Sequence, residues 1–172
     1  MASSQGCDVE SACSMRVTQV SEIDNWQGVV LSMGYLEIQL ETVNKVDLTN
    51  LTEIVENAVE KAGVVNGTVH IAALHTTAAV VVTEWQQALN HDVSRWLEKV
   101  VDGGDDWEHN DPLKSDCDRS NAVSHLKGLL LGPSVSLPVR DRKVVRGQWQ
   151  SIVFIELDGP RTRRVLIQVM GA

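Results

Sequence analysis

Three histidines stand where they could do chemistry. His109 and His125 fall in an acid-rich segment that begins at Glu108 and holds Asp111, Asp116 and Asp118, and His75 lies upstream in Leu74-His75-Thr76-Thr77-Ala78-Ala79. Imidazole and carboxylate are ligand types that suit zinc, manganese, iron or nickel, and histidine also moves protons near neutral pH. The residues therefore point to a polar, metal-binding pocket. His75 carries added weight: in a strand able to bear aliphatics on both faces, a buried polar ring costs about 1–3 kcal/mol unless partnered. The isolated His70 and His91 read as hydrogen-bonded structural residues.

The carboxylates divide by position. Asp105, Asp106, Asp111 and Asp116 read as loop solvation, whereas Asp118 precedes a helix start near His125, where the helix dipole would also favour it. Strand alternation puts Glu84 on the face of His70, so it meets His75 only if the chain bends at Thr76-Thr77 or reaches a neighbouring subunit. Gln150, Ile152, Phe154 and Glu156 alternate onto one strand face, where Gln150 could bond a ligand or tie strands together. Arg161, Arg163 and Arg164 form the densest basic patch, suited to paired hydrogen bonds with phosphate oxygens or equally to a solvated hairpin tip.

The elements that must position these groups alternate along the chain. Strands are expected at Trp26 to Leu31 and Tyr35 to Thr42, joined by a turn at Ser32-Met33-Gly34. A helix follows, capped by Asn50, with Leu51, Ile54, Val55, Ala58, Val59 and Ala62 on one stripe and Gly63 at its end. Thr68 to Thr83 reads as one central strand with His75 in its middle. A second helix is expected over His91 to Val101, with Val93, Trp96, Leu97, Val100 and Val101 on its stripe. The polar run from Asp102 to Arg119 reads as a site loop. A third helix starts at Ser120 or Asn121, turns Ala122, Leu126, Leu129 and Leu130 inward, and stops at Gly132-Pro133. Strands at Ser134 to Val139, Lys143 to Arg146, Trp149 to Leu157 and Arg164 to Met170 complete the chain, the last two joined by a turn at Asp158 to Thr162.

The 172 residues are enough for one domain with a full core. Fifteen Lys and Arg against twenty-three Asp and Glu leave a net charge of -8, which argues against nucleic acid or an anionic membrane as the main partner. No apolar run approaches the roughly 18 residues of a transmembrane helix. Residues 1–15 lack the charge pattern of a targeting segment and read as a loose tail before a domain over 16–172. Cys7, Cys13 and Cys117, odd in number and without metal-type spacing, fit a reducing, cytoplasmic setting.

Four motifs carry a family resemblance. Leu74-His75-Thr76-Thr77-Ala78-Ala79 with Glu84, then Glu108-His109-Asn110-Asp111, then Ser124-His125-Leu126-Lys127, and finally Gly147-Gln148-Trp149-Gln150-Ser151-Ile152 with Glu156 and Asp158-Gly159-Pro160-Arg161 resemble the YjbQ family, also called the secondary thiamine-phosphate synthase family. Gln148 and Arg142 depart from its pattern, where threonine and glycine are usual. The resemblance implies a single α+β domain of mainly antiparallel sheet with about three helices, a homotrimer, and a metal site at His75, His109 and His125 that holds a divalent ion, zinc among the candidates.

The activity it implies joins a hydroxymethylpyrimidine diphosphate to a thiazole phosphate and releases pyrophosphate. In that reading His109, His125, Glu84 and Asp118 are catalytic, and Thr76, Thr77, Gln150 and Arg161 bind a small phosphorylated molecule. Two alternatives stay open: a metal-dependent hydrolase of a small phosphorylated substrate, or a non-catalytic trimeric metal-binding protein.

Overall fold

A computed structural model describes residues 32–101, 103, 104, 106–116 and 118–172, together with the pairing of strand β1 (Met15–Thr18). The expected tail ahead of Met15, the expected strand at Trp26 to Leu31, and Cys7, Cys13 and Cys117 lie outside the described residues. The core begins with two ten-residue strands, β2 (Ser32–Glu41) and β9 (Thr162–Gly171), paired antiparallel from Ser32 opposite Gly171 to Glu41 opposite Thr162. Around them β1, β4 (Asn66–Ala73), β6 (Ser134–Arg140) and β7 (Lys143–Val144) complete a six-stranded antiparallel sheet in the order β1-β2-β9-β4-β6-β7. Alternate residues point inward, as the two-residue period requires: Ile38 and Leu40, Val69 and Ile71, and Val165, Ile167 and Val169 are all buried.

A second, three-stranded antiparallel sheet is made of β3 (Asp47–Asn50), β8 (Ser151–Glu156) and β5 (Ala78–Thr83), with β8 in the middle. Its Val80, Ile152 and Phe154 share one apolar cluster with the large sheet and with Val55 and Val59 of helix α1 (Thr52–Ala62). The opposite face, Ala79, Val153 and Ile155, packs with Leu97 and Val93 of α2 (Gln87–Val100) and Leu131 of α3 (Ala122–Leu131). Burial on both faces explains why β8 reads as a continuous apolar run. The result is one α+β domain with three α-helices. Among the described residues no helix is long and apolar enough to cross a membrane.

Four expectations need correction. Ser32-Met33-Gly34 makes no turn but runs inside β2, where a side chain at Gly34 would meet the Ala62 methyl at 3.4 Å. Thr68 to Thr83 is two strands, β4 and β5, in different sheets, because the chain turns at residues 74–77. Helix α2 starts four residues early, where Gln86 Oε1 accepts from the Leu89 amide at 2.8 Å. Helix α3 is rotated from its apolar stripe: Ala122, Ser124, Lys127 and Gly128 face inward, whereas Leu129 is 82% and Leu130 54% exposed. Two contacts hold that rotation. Ser124 Oγ donates to the Leu157 carbonyl at 2.6 Å, and a side chain at Gly128 would stand 2.8 Å from the Thr76 carbonyl oxygen.

The turn between β8 and β9 pins the two sheets together. Glu156 is fully buried and accepts paired hydrogen bonds from Arg163 Nε and Nη2, one from Thr42 Oγ1, and one each from the amides of Leu157 and Asp158. Asp158, two residues on, accepts from Arg161 Nη2 and Asn121 Nδ2, each at 3.0 Å. Burial opposes ionising Asp158, but those hydrogen bonds and the Arg161 and Arg163 charges outweigh it and hold the carboxyl below its ordinary range.

Two outcomes follow from this packing. Gly128→Ala should gain about 0.5–1 kcal/mol of helix propensity yet lose about 1–3 kcal/mol to the forced approach on Thr76, so melting temperature should fall; a rise would show that α3 can back away. Asp158→Asn should lower stability by about 1–3 kcal/mol at neutral pH. Because the folded carboxyl titrates below 3.8, that stability is present above 3.8 and is lost as pH falls through the lower folded value. Urea unfolding at pH 7 and at successive points below 3.8 should show the gap between wild type and variant closing, and a constant gap would refute the assignment.

Candidate functional site

The turn at residues 74–77 hops from one sheet to the other. Leu74 N bonds the Arg164 carbonyl of β9, and Thr77 O accepts from the Leu157 amide beyond β8. That hop leaves His75, Thr76 and Thr77 at a corner, facing α3 across a cleft of about 780 Å³ whose wall also includes Arg119, Asn121, His125 and Arg163. His75 Nε2 accepts from the Arg164 amide at 2.8 Å. An amide can only donate, so the neutral ring must carry its proton on Nδ1. Burial first, then the Arg163 and Arg164 charges, lower the His75 pKa against the opposing pull of Glu156. Thr77 is buried, and its Oγ1 accepts from Arg163 Nη2 at 2.9 Å.

On the other side of the cleft His125 meets His109 edge to face, with ring centroids 4.9 Å apart and planes at 84°. Burial and the neighbouring His109 lower the His125 pKa, with Asp158 opposing them. Behind this pair runs a polar chain. His109 Nε2 lies 3.2 Å from Asn121 Oδ1, Asn121 Nδ2 donates to Asp158 Oδ2, and Arg161 closes the chain on the same carboxylate. Since Asn121 spends its amide nitrogen on Asp158, its oxygen takes the His109 proton, which places that proton on Nε2. The arrangement offers two largely neutral imidazoles on one cleft, one donating through Nδ1, with an arginine on the same wall.

The expected residues fare differently. His75, His125, Thr76 and Thr77 line the cleft together. The three-histidine metal centre is not assembled within one chain. His75 Nε2 is taken by an amide, His109 has Asn121 on one nitrogen and Ser115 Oγ at 3.5 Å on the other, and no group of three His, Cys, Asp or Glu among the described residues is arranged to hold a metal ion. Glu84 is exposed beyond the far end of β5, about 20 Å from its start at the strand rise of about 3.3 Å per residue. The bend it required exists, but at the other end of the strand. Asp118 is exposed and makes no hydrogen bond or ion pair among the described residues; Asp158 is the carboxylate that acts on His125. Gln150 stands at the start of β8, away from the cleft, where its Oε1 accepts from the Gly147 amide at 2.7 Å. Arg161 orders Asp158 from outside the cleft wall. Asn121 and Arg119 had no functional signal in the sequence beyond a helix start and a loop, and Asp158 stood in a motif only as the start of a turn.

Comparison with known proteins now has a geometry to bear on. The family described as UPF0047 protein YjbQ-like matches residues 36–172. A UPF0047 protein of Archaeoglobus fulgidus is 40% identical over 78% of this chain and 100% of its own length, and the UPF0047 protein YugU of Bacillus subtilis is 31% identical over 78% of this chain and 97% of its own length. The crystal structure of a YbjQ-like protein of unknown function from Sulfolobus solfataricus P2 superposes with a TM-score of 0.77 at 34% identity, covering 83% of this chain and 99% of that one. An uncharacterized conserved protein of the same family from Clostridium acetobutylicum gives 0.69 at 30% identity, over 77% of this chain and 98% of the other.

These relatives overturn the expected function. They are described only as UPF0047 proteins, uncharacterized or of unknown function, and none of these descriptions carries thiamine-phosphate synthesis, a transferase, metal-dependent hydrolysis or a metal-binding assembly. The four motifs identify a lineage and a fold; they do not carry a reaction with them. With a match across residues 36–172 and near-complete coverage of the relatives, this chain belongs to the YjbQ-like UPF0047 family.

Proposed function

We propose that the corner cleft binds a small phosphorylated molecule, with the phosphate held against Arg119, His125 and the Nδ1 proton of His75. One observation carries the reading. In a chain of net charge -8, the cleft wall among the described residues holds two arginines and two histidines and no Asp or Glu. Arg163 is committed to Glu156 and Thr77, but the Arg119 side chain makes no hydrogen bond or ion pair among the described residues and keeps its guanidinium free for an anion. A groove of similar size, about 830 Å³, lies between α1 and β7, but there Glu56, Glu60 and Asp141 balance Arg142, Lys143 and Arg146, and Arg146 is already tied to Glu56 at 2.8 Å. Charge therefore favours the corner cleft. The cysteine count supports a cytoplasmic setting for it.

Self-association is a second reading, favoured by apolar surface rather than by the cleft. Leu129 at 82%, Trp149 at 69% and Leu130 at 54% exposure are large side chains that a monomer leaves in water. A homotrimer would cover them. Light scattering should then give about three times the 18.9 kDa chain mass, and the chain mass alone at micromolar concentration would remove this reading.

Calorimetry with inorganic pyrophosphate as the probe tests the cleft. Arg119 is exposed, so Arg119→Ala should fold normally and bind at least ~10-fold more weakly, the value of a charge-assisted hydrogen bond. Affinity of the wild type should also rise with acid. A bound anion raises the His125 pKa, which the empty cleft holds below 6.5, so binding takes up a proton; the gain is complete below the free value and is lost as pH climbs through the bound one. Equal affinity in wild type and Arg119→Ala would sink the assignment.

A further inference from the structure

Asn121 also lines a second, smaller cavity of about 270 Å³, walled by Lys45, Glu98, Asn110, Ser120, Lys127 and Asp158 among others. Three charged side chains are buried among the described residues: Glu156, Arg163 and Lys127. The first two satisfy each other. Lys127 is 7% exposed and its side chain makes no hydrogen bond or ion pair among the described residues; its ammonium lines this cavity, where the Glu98 and Lys45 charges act on it without bonding it. Buried ammonium groups are ordinarily paired, and an unpaired one that lines a cavity marks the place of a missing anion.

The other walls agree. Lys45, exposed at the rim, has no side-chain partner among the described residues either. Asp158 is already held by Arg161 and Asn121, which leaves Glu98 as the one carboxylate not bonded to a described residue, against two free ammonium groups. Asn110 accepts the Ala122 amide through Oδ1 and so keeps its side-chain amino group for a further acceptor. Ser120 and the N-cap Asn121 lead into the ten-residue α3, and Val123 and Ser124 lie in its first turn, whose positive dipole end adds to the same field.

We propose that this cavity binds a compact oxyanion, a free phosphate or the carboxylate of a small acid, between Lys127 and Lys45. The site is separate from the corner cleft and does not depend on its ligand. Its size admits a small ion or acid and excludes the larger phosphorylated molecules that the cleft could hold.

The experiment uses the full chain carrying Arg119→Ala, so that weakened cleft binding is not read as this site. Thermal unfolding is followed with millimolar inorganic phosphate and, separately, acetate, sodium chloride serving as the ionic-strength control. At least one of the two oxyanions should raise the melting temperature. Adding Lys127→Met should reduce the apparent affinity at least ~10-fold, and adding Lys45→Gln should reduce it about 3-fold. Without ligand, Lys127→Met should melt no lower than its parent, because methionine fills the same space without an unpaired charge. If Lys127→Met does not fold, the exposed Lys45→Gln decides alone. A response to neither ion, or an undiminished response in the lysine variants, would overturn the proposal, whatever Arg119→Ala does to pyrophosphate binding.

Discussion

The pairing of Glu156 with Arg163 is the constraint on which the rest of the site depends. Glu156 ends the central strand of the small sheet and Arg163 is the second residue of β9 in the large one, so their paired hydrogen bonds fix how the two sheets meet. Neither charge is exposed, and removing one partner of such a pair costs about 3–5 kcal/mol because the other is left uncompensated. Glu156 reaches that cost only if every lone pair is used, and it is: Thr42 and two consecutive backbone amides complete the shell. Of the three N–H groups Arg163 then has left, the second on Nη2 goes to Thr77. In this way a packing requirement at the sheet corner fixes the turn that carries His75.

That corner also explains why functional side chains gather there. Within one antiparallel sheet, neighbouring side chains stand side by side and point the same way, so they line a surface more readily than they enclose a space. A chain that leaves one sheet and enters another turns its backbone edge outward, and here residues 74–77 do so directly beneath a helix. Gly128 allows that helix to approach, since any side chain there would collide with the Thr76 carbonyl. Its sequence cost is visible: α3 gives up Leu129 and Leu130 to solvent in order to bring Ser124, Gly128 and His125 against the corner.

Much of the fold was legible because hydrophobic period and glycine punctuation are local. The C-terminal strands, the first helix with Gly63 at φ 70°, and the stop of α3 at Gly132 all follow from residues within a few positions. What was not legible depends on distant partners. The apolar run from Thr68 to Thr83 has no breaker, and only Arg164, Leu157 and Gly128, far along the chain, convert its middle into a turn. Periodicity turned α3 by its leucines, whereas contacts to residues 76 and 157 turned it by its smallest side chains. The motifs singled out His75, His109 and His125, yet the geometry of the last two hinges on Asn121, which the sequence presents only as a helix start.

Asn121 shows how one neutral side chain can organise charged neighbours. Its two ends differ, one oxygen and one amino group, so bonding Asp158 through nitrogen dictates that oxygen faces His109 and that the His109 proton sits on Nε2. An aspartate there would repel Asp158, and a leucine would take from Asp158 one of its two side-chain partners and from His109 Nε2 its acceptor. The same residue forms part of the wall of two cavities, one free of carboxylates and one containing the unpaired Lys127. In a protein whose overall field repels anions, positive charge thus collects on both sides of a single polar partition, and the partition holds because its own hydrogen bonds are all internal.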